Sequence, residues 1–193
     1  MTRTEIIQSL INKTQAEKYL EIGMGSGLNF SAIQCEYKIC VDPTPTVPVT
    51  FTLTSDNFFN QNNETFDVIF IDGLHWSEQL YKDIDNSLKI LNDGGYIICH
   101  DINPHSEFIQ RYPQPKLESE WTGDCWKTWV ILKSERDNLE MSVVDTDYGC
   151  GIIRKGKQNL ITINSELTWD VLEKDRVKLL NLISIEEFKK TLW

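Results

Sequence analysis

All three histidines of the chain stand beside or just after acidic residues that follow apolar runs. Phe66-Asp67-Val68-Ile69-Phe70-Ile71 leads into Asp72-Gly73-Leu74-His75, and Tyr96-Ile97-Ile98-Cys99 leads into His100-Asp101, with His105 close behind. If the two runs are neighbouring strands, Asp72, His75, His100 and Asp101 converge at one edge of a sheet. An imidazole titrates near neutrality and can take a proton from a hydroxyl, so His75, His100 and Asp101 are the candidate catalytic groups. Carboxylate oxygens with an imidazole also suit a divalent cation such as Mg²⁺ or Mn²⁺, which makes Asp72, His100 and Asp101 candidate metal ligands. Such a cation would lower a hydroxyl's pKa and orient it. The plainer alternative is that Asp72 caps a helix while His100 and Asp101 stabilise the turn after a strand.

A second constellation precedes the first. Tyr19-Leu20-Glu21-Ile22 runs into Gly23-Met24-Gly25-Ser26-Gly27, and an apolar helix-like segment follows. Strand, glycine turn and helix start are the opening half of a nucleotide-binding βαβ unit. The spacing is not that of a dinucleotide site, because Leu28 stands where G-x-G-x-x-G requires its third glycine. Glu21 at the mouth of the turn would repel a pyrophosphate, but it suits a cationic or amino-bearing ligand such as adenosylmethionine. Asp42 lies about 20 residues beyond the first strand, the place of a ribose-binding carboxylate in nucleoside-binding folds. Asp56 and Asn57 fall where the adenine side of the ligand would lie, although Ser55 or Asp56 serves equally well as a helix N-cap.

The elements that must hold these groups alternate. A helix over 4–16 precedes a first strand at 19–22, a helix at 26–34 and a second strand at 38–41. Pro43, Pro45 and Pro48 forbid a helix directly after it. Val49, Phe51 and Leu53 alternate with polar residues as an edge-type strand. Phe66–Ile71 is apolar on both faces, as a buried parallel strand should be. A helix over 77–91, ended by Gly94-Gly95, precedes the strand at 96–99. Residues 103–123 carry no regular pattern and read as a lid or binding loop. A helix over 125–134, capped by Asp124, leads to an antiparallel hairpin of 139–144 with 150–153. Trp126 and Trp129 fit a core stripe, whereas Trp121 is free to meet a ligand. The pattern predicts an α/β, doubly wound, Rossmann-like, mostly parallel sheet with a C-terminal antiparallel hairpin. Residues 1–193 form a single domain with a helical tail from about 165 to 193.

Bulk properties narrow the function classes. A formal net charge of −10 and a pI near 4.8 argue against a nucleic-acid footprint. No run reaches the roughly 20 apolar residues of a membrane span, and the start lacks a signal-peptide core. Five cysteines without C-x-x-C spacing read as reduced core thiols, which predicts a cytoplasmic protein.

Glu21-Ile22-Gly23-Met24-Gly25-Ser26-Gly27, Asp42 and Phe66 to Gly73 together resemble the class I adenosylmethionine-dependent methyltransferases. More narrowly, Ile71-Asp72-Gly73-Leu74-His75, His100-Asp101 and Trp121-Thr122-Gly123-Asp124-Cys125-Trp126-Lys127 are similar to a small O-methyltransferase-like group. The resemblance implies methyl transfer from adenosylmethionine to an oxygen of a sugar, glycan or other small molecule, with or without a divalent metal. Glu21, Gly23, Gly25, Ser26 and Gly27 would hold the methionine end, Asp42 the ribose, and Asp56 and Asn57 the adenine side, with Asp72 also among the cofactor-binding residues. Related metal-dependent enzymes place acids where Asp72 and Asp101 stand. A non-catalytic adenosylmethionine-binding partner module and an NAD-dependent oxidoreductase are the rival readings. The His/Asp cluster disfavours the first, and Glu21 with Leu28 disfavours the second. Whether the chain forms a homo-oligomer is left open.

Overall fold

The structure is a computed structural model and describes residues 1–115 and 120–191. Its centre is a seven-stranded sheet of order β2-β1-β3-β4-β6-β5-β7. The strands are β1 (Lys18–Ile22), β2 (Tyr37–Val41), β3 (Phe66–Ile71), β4 (Leu91–Cys99), β5 (Leu139–Val144), β6 (Cys150–Lys155) and β7 (Leu182–Ile183). β1 to β4 are mutually parallel, whereas β6 runs antiparallel to both β4 and β5. The expected mostly parallel sheet with a C-terminal hairpin is therefore present.

Period-two alternation along apolar strands explains why helices cover both faces. Leu20, Ile22, Ile69, Ile71, Ile97 and Cys99 point to one core, with Trp126, Trp129 and Leu80. Tyr19, Val68, Phe70, Tyr96 and Ile98 point to the other, with Ile6, Ile7, Leu10 and Phe188. The first face carries α3 (Ser55–Gln61), α4 (Ser77–Ile90), α5 (Cys125–Glu135) and α6 (Trp169–Leu180). The second is covered by α1 (Arg3–Thr14), α2 (Leu28–Ala32) and α7 (Ile185–Thr191). Trp126 and Trp129 are fully buried, as their stripe implies, and the indole N–H of Trp129 donates to the Leu180 carbonyl at 3.0 Å.

Four local expectations are corrected. Val49 to Leu53 is not a strand: Phe51 makes a single bridge to Val41, and β2 forms the sheet edge. Pro48 leaves no N–H on the approach, and Phe51 stays exposed, so nothing extends the ladder. The helix expected over 26–34 is only Leu28–Ala32, because Gly27 completes the turn in the left-handed region at φ 76°. The cap of α3 is Thr54, whose hydroxyl accepts from the Asn57 amide, and not Ser55 or Asp56. Asp124 stands at the N-cap position of α5, but its carboxylate makes no cap bond there and instead takes the Ser77 amide of α4 at 2.7 Å, tying the two helices together. In the C-terminal tail, β7 separates α6 from α7.

Because Trp129 is wholly buried and also satisfies a backbone carbonyl, Trp129→Ala should destabilise the chain by about 3–5 kcal/mol. A urea midpoint lowered at unchanged slope would show this. An unchanged midpoint would mean that this core is not organised around the indole.

Candidate active site

A cavity of about 1050 Å³ opens along the carboxyl ends of β1 to β4, where ligands of open α/β sheets bind. The glycine turn forms one wall. Gly23 sits at φ +83°, and a Cβ there would lie 2.0 Å from the Asp72 carbonyl oxygen, so only glycine lets β1 and β3 exit side by side. Asp42 lies against the same turn. Its Oδ2 accepts the amides of Met24 at 3.0 Å and Gly25 at 3.3 Å, and its Oδ1 takes that of Thr44 at 2.8 Å. The carboxylate thus clamps the loop, and Oδ1 keeps a lone pair for another donor.

Glu21 is almost completely buried at the end of β1. Its Oε2 accepts from the Tyr19 hydroxyl at 2.5 Å and from Asn29 Nδ2 at 2.8 Å, and the Asn29 carbonyl takes the Thr4 hydroxyl at 2.7 Å. Burial outweighs these hydrogen bonds and lifts its carboxyl to about 7. A group poised there takes up or releases a proton when a charged partner arrives.

Opposite this wall lies the acid–histidine cluster. Asp101 leaves β4 in the left-handed region at φ 62°, which an aspartate tolerates, and so turns its carboxylate back toward β3. Its Oδ2 stands 3.3 Å from His75 Nδ1 and its Oδ1 stands 3.0 Å from His100 Nδ1. His75 Nδ1 is also 2.8 Å from the Trp121 carbonyl, which can only accept, so that nitrogen carries the proton and Nε2 faces Asp72 Oδ1 at 3.3 Å. His100 is buried with its Nδ1 3.4 Å from Asp72 Oδ1 and its Nε2 3.4 Å from Asp147 Oδ1, too far for that nitrogen to have a well-formed partner. Burial alone would lower both imidazoles. For His75 the hydrogen bond and charge of Asp72, with the charge of Asp101, raise it instead; His100 is pushed far up by Asp72, Asp101 and Asp147. Burial would raise Asp72, but the two histidines hold it well below the carboxylate range.

The structure brings together Glu21, Gly23, Gly25, Ser26, Asp42, Asp56, Asp72, His75, His100 and Asp101 as lining of the one cavity. Gly27 shapes the turn without lining it, and Asn57 is exposed on α3 outside the lining. The Asp56 carboxylate accepts from Gln79 Nε2 at 3.0 Å, which fixes it at the cavity edge. His105 is exposed beside the Tyr148 ring and stands apart. The donor atoms that gather within 4.8 Å belong to Asp72, His75 and Asp101; His100 gathers instead with Asp147 and Cys150. Trp121 lines the cavity, its ring 4.9 Å from that of His75.

Two functional-site residues escape the sequence reading. Arg3 at the start of α1 donates from Nη1 to Asp72 Oδ2 at 2.9 Å, from Nε to Asp147 Oδ2 at 3.0 Å and from Nη2 to Asp147 Oδ1 at 2.9 Å. A cation in the first turn opposes the helix dipole, so Arg3, inside the Thr2–Glu5 capping box, already asks for an anionic partner. Asp147 lies in the β5–β6 turn. Since β6 returns antiparallel to β4, that turn must fall at the same sheet edge as the strand exits.

Residues 39–102, from within β2 to just beyond β4, match a family model described as a methyltransferase domain. Among solved structures the chain is similar to the O-methyltransferase TomG from Streptomyces achromogenes in complex with SAM. The TM-score is 0.60 at 11% identity, over 80% of this chain and 79% of that one. An O-methyltransferase from Bacillus cereus in complex with SAH gives 0.57 at 17% identity, over 81% and 82%. SAH-bound methyltransferase PaMTH1 from Podospora anserina gives 0.57 at 14% identity, over 80% and 78%. No curated protein matches the chain. The fold is that of the class I methyltransferases.

Asp147→Asn removes the carboxylate that holds Arg3 and faces His100, and should cost about 1–3 kcal/mol at neutral pH. The close approach of the His100 imidazole, with the hydrogen bonds from Arg3, keeps Asp147 well below the usual carboxylate range. Its stabilisation is therefore complete above pH about 4 and disappears as pH falls through the depressed value. Melting curves of the two proteins should converge in acid; a gap that widens there would contradict this assignment.

Proposed function

We propose that this chain, with its class I methyltransferase fold, transfers a methyl group from adenosylmethionine to a hydroxyl oxygen of a small-molecule or glycan acceptor. The observation that carries this reading is a single cavity with two dissimilar walls. One presents an acid beside a glycine turn, and the other an imidazole oriented by a carboxylate. The relatives described with SAM or SAH support the choice of donor.

On the first wall, the ionised Glu21 meets the donor's ammonium, and the backbone of Gly23 to Ser26 cradles its methionine end. Asp42 accepts from a ribose hydroxyl through the remaining lone pair of its Oδ1, and Asp56 borders the adenine. Adenosylmethionine supplies a methyl carbon on a cationic sulfur: the acceptor oxygen bonds to that carbon while the carbon–sulfur pair returns to sulfur, leaving a neutral thioether.

The acceptor's proton goes to His75 Nε2. The Nδ1 proton of His75 is committed to the Trp121 carbonyl with Asp101 beside it, which fixes the tautomer and steadies the imidazolium that forms. His100, pinned between three carboxylates, holds those acids in register and has no free lone pair to offer the substrate. Trp121 gives a flat apolar face on which a sugar or aromatic ring can stack. Positioning of the two reactants supplies most of the acceleration in such an in-line displacement.

Calorimetry should show adenosylmethionine binding and proton release below pH 7, because Glu21 loses its proton to receive the ammonium. Glu21→Gln should weaken binding by about tenfold or more and abolish that proton release. Binding of NAD without adenosylmethionine would overturn the proposal. Methyl transfer to sugars and sugar nucleotides should rise with pH as His75 deprotonates. Its midpoint should lie above about 6.5, because Asp72 and Asp101 raise the imidazole. His75→Ala should lower turnover by about 10²–10⁴ and remove that limb of the profile.

A further inference from the structure

The cluster raises a question about charge that the reaction alone does not answer. Asp72, His75 and Asp101 offer two carboxylates and an imidazole within 4.8 Å, a donor set suited to Mg²⁺ or Mn²⁺. Their disposition does not fit such an ion. Asp72 Oδ2 is taken by Arg3 Nη1 at 2.9 Å, and the same nitrogen stands 3.2 Å from His100 Nδ1, inside the ring of acids. Asp72 Oδ1 faces both histidines. The guanidinium is also anchored rather than loose. Asp147 receives Arg3's Nε, its Nη2 and its backbone amide at 2.9–3.0 Å, and the capping box of Thr2 and Glu5 fixes the helix end that carries it. A dication entering beside Asp72 would have to expel or face this permanent charge.

We propose that Arg3 supplies, from within the chain, the fixed positive charge at Asp72 that a divalent cation would bring, so that methyl transfer proceeds without metal. This rests on the methyltransferase reading and deepens it. Arg3 is a positioning residue: it holds Asp72 and, through Asp147, faces His100, and so sets the field felt by the acceptor hydroxyl beside His75. A guanidinium is suited to the task because its planar fork binds two carboxylates at once and does not deprotonate. Preorganised charge of this kind stabilises the negative charge that grows on the acceptor oxygen as its proton leaves.

The test uses the whole chain and Mn²⁺, whose binding is read by electron paramagnetic resonance without any acceptor. The wild type should leave added Mn²⁺ unbound, and a chelator should leave its methyl transfer unchanged. Arg3→Gln keeps a polar side chain with a donor at the position of Nε, but loses the guanidinium end and its charge. It should lower turnover by about 10²-fold at unchanged adenosylmethionine affinity. It should also bind Mn²⁺ in a manner that the added substitution Asp72→Asn abolishes. Arg3→Lys, which restores a charge without the fork, should recover part of the turnover and leave Mn²⁺ unbound. Thermal melting of each variant separates a change of site from loss of fold. One Mn²⁺ bound by the wild type and lost in Asp72→Asn, or full turnover by a folded Arg3→Gln that binds no Mn²⁺, would overturn the proposal. If instead no acceptor is methylated by any form, the Mn²⁺ results still decide the question of charge, whereas the methyltransferase reading falls on its own experiment.

Discussion

A buried imidazole enclosed by three carboxylates is the constraint on which the upper edge of this sheet depends. His100 has Asp72, Asp101 and Asp147 within 3.4 Å, and these acids arrive from β3, from the end of β4 and from the β5–β6 turn. Three like charges at such separations would drive the three segments apart. The cations that hold them together are His100, His75 and Arg3, and the last of these belongs to a helix that no strand pairing ties to the site. The cluster thus closes three chain segments and the start of α1 onto one another. Removing one charge leaves the others buried and uncompensated, so the members are strongly interdependent.

The opposite wall is held by a different economy. Around the glycine turn, backbone amides do the work: Asp42 gathers three of them, and Gly23 permits two strands to exit within contact of each other's main chain. Glu21 is the exception, a carboxyl kept almost dry, with a neutral tyrosine and an asparagine as its partners. One wall is therefore charged and mutually compensated, while the other holds Asp42 satisfied by backbone amides and a buried Glu21 whose hydrogen-bond partners are neutral.

Much of the architecture was legible in the sequence because burial on both faces of a parallel strand leaves a long apolar run that few other structures require. Phe66–Ile71, the glycine turn and the strand-end acids were all placed by that logic. Local competition among neighbouring residues was less legible. Thr54 rather than Ser55 or Asp56 caps α3, and the prolines before Phe51 prevent a strand that its alternation suggests. Site residues were readable when a strand delivered them and hidden when they came from afar. Arg3 meets Asp72 across 69 positions and Asp147 across 144, separations over which no periodicity extends. The aligned fragments of sequence could name Asp72 and His100, but the partner that neutralises them was visible only in three dimensions.

Gly123 carries a last consequence. A side chain there would run into the His75 carbonyl at 1.7 Å, and Gly123 and Thr122 both donate to the Ile109 carbonyl, so the far end of the irregular loop is riveted to the backbone of His75. Beyond that rivet, Phe108 and Tyr112 are exposed, and Tyr112 stacks against Trp76 and Trp121 without touching the acid cluster. The exposed aromatic residues of the loop and the acid–histidine cluster thus occupy separate parts of the chain, joined at Trp121. The outer aromatic face can therefore change by mutation while the carboxylate and imidazole contacts behind the Gly123 rivet keep their geometry.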